Sequence, residues 1–147
     1  MYKHILIPTD GSPLASSGIE AGINLAQKLG ARVTGFYAAP PATPLEYKGM
    51  FPVGYGDPVE RAQAIEKVAK QHLAAIEKAA KAAGVVCKLE HVTDDYPADA
   101  IVTAARRNKC DLIFMASHGR SGFRASMLGS QTQKVLAQSK VPVLVHR

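Results

Sequence analysis

The chain has 147 residues, within the ~100–200 expected of a single domain. Its 47% apolar and 20% charged residues exclude a disordered or low-complexity chain. No apolar run reaches the ~18–20 residues that a membrane helix needs, and the start Met1–Pro8 has no small-residue cleavage pattern, so a cytoplasmic protein is expected. Cys87 and Cys110 lack metal-like or disulfide-framework spacing and read as ordinary thiols.

The net charge of +6 is unevenly placed. Residues 1–111 carry 13 Lys/Arg against 12 acids, whereas residues 112–147 carry Arg120, Arg124, Lys134, Lys140 and Arg147 with no acid. This predicts a local anion site or a solvated basic face. Nucleic acid is not expected as a partner, because that basic stretch holds few aromatics, Phe123 and the Phe114 of an apolar run.

In chain order, His4-Ile5-Leu6-Ile7 reads as a buried strand closed by Pro8 and the turn residues Asp10-Gly11-Ser12. Ser12 is a helix cap ahead of Pro13, and Ile19, Gly22, Ile23 and Ala26 recur at helical spacing up to Gly30. Arg32–Ala38 is a second strand. Residues 39–56 break the rhythm with four prolines and three glycines and read as an ordered loop or lid. Its Tyr47, Phe51 and Tyr55 either close over a ligand or pack the loop down. Asp57-Pro58 starts a helix whose apolar face runs from Ile65 through Ala83, with Gly84 as its stop. Val85–Val92 is the third strand, Pro97–Ala105 the third helix and Leu112–Ala116 a wholly apolar fourth strand. Ser130, with Gln133 three residues on, has capping-box spacing for a short helix, and Val141–Val145 is the fifth strand. The alternation predicts one α/β domain over residues 1–147, a doubly wound, Rossmann-like five-stranded parallel sheet with helices on both faces. Ligands of such sheets bind beyond the strands' carboxyl ends, here Pro8–Ser12, Ala38 and Ser117–Ser130.

The last of these segments carries the strongest signal. Gly119 and Gly122 permit sharp turns with N–H groups facing an anion, and a helix opens at Gly129-Ser130. Neither a Walker loop nor a dinucleotide fingerprint is present. Asp10 reads either as a partner for a ribose hydroxyl or base edge, or as a turn cap. His118 reads as a general base, a phosphate contact or, on balance, a loop former, because no acid flanks it. His4, His72 and His146 read as surface or boundary residues, and Asp94-Asp95 as a turn rather than a metal site.

Together these residues resemble the universal stress protein family. Its nucleotide signature Gly-x2-Gly-x9-Gly-[Ser/Thr] stands here as Ala116-x2-Gly119-x9-Gly129-Ser130. Ile7–Ser12, Asp111–Met115 and Val141–Val145 extend the likeness over all but the insert. Two positions depart: Ala116 replaces the first glycine, adding a methyl close to the expected ribose, and Asp95 stands where a glycine commonly precedes x-Pro. The resemblance implies ATP as ligand, with a divalent ion such as Mg or Mn, and a homodimer through Val141–Val145; an open sheet edge favours such pairing, with Pro142 limiting the side used. It implies Pro8, Thr9 and Asp10 at base and ribose and the Ala38 backbone at the base. Met115 and Ala116 would line the sugar, and Gly119, Gly129, Ser130 and Gln131 would hold phosphates beside His118 and Arg120. Ser121 and Ser126 resemble phosphoacceptors of a family in which autophosphorylation occurs, though as residues they read as solvated serines. No acid–base pair or metal cluster stands in the phosphate loop, so a regulatory, at most slowly hydrolysing protein is expected. A dimer that acts through partners without nucleotide, favoured by Ala116, and a weak ATPase are the alternatives.

Overall fold

The computed structural model describes residues 1–41, 58–117 and 129–147. Strands and helices alternate as β1 (His4–Pro8), α1 (Pro13–Leu29), β2 (Arg32–Ala39), α2 (Pro58–Ala83), β3 (Cys87–Thr93), α3 (Pro97–Arg107), β4 (Leu112–Ala116), α4 (Ser130–Gln138) and β5 (Val143–His146). The strands form one parallel sheet in the order β3-β2-β1-β4-β5. The chain winds outward from β1 to β3, then crosses back and continues from β4 to β5. The winding direction therefore switches between β1 and β4, and a crevice opens at their carboxyl ends.

Alternate residues of each strand feed two cores. Ile5, Ile7, Val33, Leu112 and Phe114 pack with α1 and α2, whereas Leu6, Phe36, Ile113 and Met115 pack with α3 and α4. Burial on both faces explains why these strands read as continuous apolar runs. Each fully buried Ile, Leu or Phe contributes roughly 1.5–3 kcal/mol.

Helix ends follow local signals. Ser12 caps α1 by accepting the Ala15 N–H at 3.3 Å, and Gly30 and Gly84 close α1 and α2 in the left-handed region. Lys109, at φ 55°, makes the equivalent turn after α3. Several expected boundaries move, β2, β3 and α3 ending one or two residues later than expected. β3 begins at Cys87 rather than Val85, because the Val85 N–H is used by the helix end, bonding the Ala80 carbonyl at 2.9 Å. β5 begins at Val143 rather than Val141, because the Ser139 hydroxyl folds Val141 into a turn, donating to its carbonyl at 2.7 Å and accepting its N–H at 3.0 Å. β5 also extends past Val145 to His146, which pairs with Ala116. The cap of α4 is Gly129, not Ser130, which is the first helical residue. The Asp57 cap and all of the insert from residue 42 lie outside the described residues.

Candidate functional site

The crevice at the switch point holds a cavity of about 390 Å³, within the range of small-molecule sites. Of the twelve residues singled out above, Pro8, Thr9, Asp10, Ala38, Met115, Ala116, Gly129, Ser130 and Gln131 all line it. His118, Gly119 and Arg120 lie outside the described residues, as do Gly122, Arg124, Tyr47, Phe51 and Tyr55. The three basic residues of the C-terminal stretch that are described, Lys134, Lys140 and Arg147, are exposed and do not line the cavity.

One wall is the turn between β1 and α1. The Asp10 carboxylate accepts the Ser12 N–H at 2.9 Å, and the Thr9 hydroxyl accepts the Gly11 N–H at 3.1 Å. Asp10 thus shapes the turn and also borders the cavity, so its two readings are compatible. Gly11 has φ +76°, and a Cβ built there would lie 2.0 Å from Nδ1 of His72. His72 is accordingly no plain surface residue of α2. Its ring lies against the turn and meets Tyr37, a further wall residue, edge-on with centroids 4.9 Å apart.

The opposite wall joins β4 to α4. The Ser117 N–H donates to the His146 carbonyl at 2.8 Å, and the Gly129 N–H donates to the Ser117 carbonyl at 2.7 Å. The Thr132 hydroxyl donates to the Ala116 carbonyl at 3.1 Å. The Gly129 N–H, expected at the phosphates, is bonded internally and is not a donor for them. The amides of Ser130, Gln131 and Thr132 precede the first helical bond, from Gln133 N–H to the Gly129 carbonyl at 3.0 Å. The cap residue is glycine, which supplies no side-chain cap bond, and the first-turn residues Ser130, Gln131 and Thr132 line the crevice at the positive dipole end.

Sequence reasoning missed Ala15, Tyr37, Pro40, Pro97, Ile101 and Thr132 as lining residues. Tyr37 and Thr132 adjoin residues that were named. Pro97 and Ile101 begin α3, and only the crossover to β4 brings them here. Asp94 accepts the Tyr96 N–H at 2.8 Å, in keeping with a turn. Among the described residues no cluster of three or more His, Cys, Asp or Glu is placed to hold a metal.

The two histidines at the chain's ends are also built in. His146 stacks on Phe114 with centroids 6.0 Å apart. His4 is buried at the far end of the sheet, its Nε2 2.8 Å from the Thr34 hydroxyl. Burial, with the charge of Arg32, lowers its pKa below the ordinary histidine value, partly opposed by Asp111. Nearby, burial pushes the Cys110 thiol up to about 11, so it stays protonated.

The universal stress protein family model matches residues 1–147. A universal stress protein from the QAH/OAS sulfhydrylase 3′ region of Thermus aquaticus is 33% identical over 147 residues, all of both chains. The solved structure of MJ0577 from Methanocaldococcus jannaschii superposes with a TM-score of 0.79 at 28% identity, covering 99% of this chain and 95% of that one. A universal stress protein solved in complex with cAMP shares the fold, with a TM-score of 0.73 at 22% identity over 99% of this chain and 97% of that one. Among the described residues no helix is long and apolar enough to cross a membrane.

Proposed function

The chain belongs to the universal stress protein family, and from that premise we propose that it binds ATP in the switch-point cavity and acts as a nucleotide-dependent regulatory protein rather than an efficient enzyme. The observation that carries this reading is one of convergence. Three segments far apart in sequence, Pro8–Asp10, Ala38 and Met115–Ala116, meet the uncapped start of α4 in a single cavity. Its chemistry is graded. Pro8, Ala38, Pro97, Ile101 and Met115 give an apolar wall suited to a base, and Asp10 offers a carboxylate to a ribose hydroxyl. The amides of Ser130, Gln131 and Thr132 give hydrogen-bond donors suited to phosphate. Asp10 is the one carboxylate among the described lining residues. Binding would clamp the two halves of the sheet, adding roughly 2.7 kcal/mol at a hundredfold excess over Kd.

Titration calorimetry with ATP and magnesium tests the reading. Saturable binding with one site per chain and a higher melting temperature is expected, and the absence of both overturns it. Phosphate release without multiple turnovers is expected alongside; steady turnover that follows the protein through purification would make it an ATPase. Pairing of β5 with a second copy is supported by its position at the sheet edge and by its exposed Leu144. Light scattering on the eluted protein should give twice the chain mass.

A further inference from the structure

The alanine at the signature's first glycine position has a counterpart across the packing interface. α1 runs over β4, and Gly18 of α1 is buried opposite Ala116. A Cβ built on Gly18 would lie 3.1 Å from the Ala116 Cβ, and 3.6 Å from both its Cα and its N. The Ala116 methyl is thus turned onto the helix, in the space that a side chain at position 18 would occupy. The register agrees, because Ala116 follows Leu112 and Phe114 on the face that packs against α1 and α2. Ala116 is also held from other directions: its carbonyl accepts the Thr132 hydroxyl at 3.1 Å, and it pairs with His146 of β5. A side chain added at 18 therefore has to shift either α1 or this tethered strand end, which is itself cavity wall.

We propose that Gly18 and Ala116 form a size-complementary pair, in which Gly18 is the positioning residue that keeps the Ala116 methyl out of the nucleotide cavity, so that alanine in place of the signature's first glycine leaves the site open. This deepens the reading above and rests on it. It also removes the ground on which Ala116 favoured a nucleotide-independent protein.

A reciprocal swap tests it, with ATP affinity and melting temperature read on the purified full chain. Ala116→Gly should lower the melting temperature by a few degrees, since a packed methyl is lost, without the roughly tenfold gain in magnesium-ATP affinity that removing a methyl from inside the cavity would give. Gly18→Ala should weaken ATP about three- to tenfold and also lower the melting temperature. The double variant G18A/A116G, with the methyl moved to the other side of the contact, should recover most of both losses. A tenfold gain in affinity from Ala116→Gly overturns the proposal, as does a Gly18→Ala variant silent in both measurements, or a double variant no better than Gly18→Ala. If neither the parent nor Ala116→Gly binds ATP, the nucleotide reading fails, and the melting temperatures of the four proteins still decide whether the pair is complementary. Should Gly18→Ala fail to fold, recovery of folding in the double variant supports the pair and its absence counts against it.

Discussion

The two ends of the same parallel sheet treat their polar groups in opposite ways. At the amino ends most of the groups are matched to one another, the buried His4 Nδ1 being without a hydrogen-bond partner. The Asp111 carboxylate accepts the N–H of Lys3 at 2.9 Å and of His4 at 3.0 Å, the Asp111 N–H donates to the His4 carbonyl at 2.9 Å, and His4 meets Thr34. At the carboxyl ends the main chain splays around a cavity, and the first turn of α4 has no side-chain cap. Hydrogen bonds completed inside the protein contribute to stability; donors that still face a crevice contribute to ligand affinity. Substitutions at the amino end should therefore lower stability and leave binding alone, and the carboxyl end holds the positions where the two properties separate.

The largest effect is expected at Gly11, where the two properties are still joined. Gly11→Ala forces a left-handed alanine and a Cβ into the His72 ring, costing on the order of 3 kcal/mol from strain and overpacking together. Because the turn and Tyr37 are cavity wall, ATP affinity should fall as well; denaturant melts and calorimetry measure the two losses. Thr34→Val comes next. It leaves His4 Nε2 buried without its partner, which costs about 1–3 kcal/mol, and the Kd for ATP should stay within twofold. A change in Kd of tenfold would break the contrast between the ends.

Ser130→Pro sharpens the contrast from the other side. Proline suits the first helical position, and Gly129 at φ −60° and ψ 150° already has the conformation that precedes it. One amide donor is lost with no helical bond broken. ATP affinity should drop about tenfold, the lower range for a hydrogen bond to a charged group, while the melting temperature without ligand stays level or rises. The smallest effect is the pH slope of the amino end. The folded pKa of His4 is lowered, so below about pH 6.5 the unfolded chain takes up a proton that the folded chain does not. Stability should decline from there toward the folded pKa, and His4→Asn should flatten that part of a stability–pH curve. The Asp111 carboxylate, held below its ordinary value by the Lys3 and His4 amides, adds a second loss only under strongly acidic conditions, as pH falls through its folded pKa.

Much of this molecule is readable from neighbours in sequence. Pro13, Pro58 and Pro97 open helices, Gly30 and Gly84 close them, and β1 and β4 are unbroken apolar runs. These signals act over a few residues, so the spacing alone determines the alternation, and the alternation determines a parallel sheet with its site at the carboxyl ends. Of the nine described site residues, Pro8, Thr9, Asp10, Ala38, Gly129 and Ser130 lie in segments that turn chemistry at strand ends marks, whereas Met115, Ala116 and Gln131 were implied by the family resemblance.

Tertiary structure alone decided which polar and small groups meet. His4 and Thr34 are 30 positions apart, and Lys3 and Asp111 are 108 apart. Pro97 and Ile101 reach the cavity only through the crossover, and the Gly129 amide is bonded internally by a carbonyl twelve residues back. Gly18 beside Ala116 belongs to the same class. Periodicity reports which face of an element is buried, but the partner across that face is set by sheet order and register, which no local pattern carries.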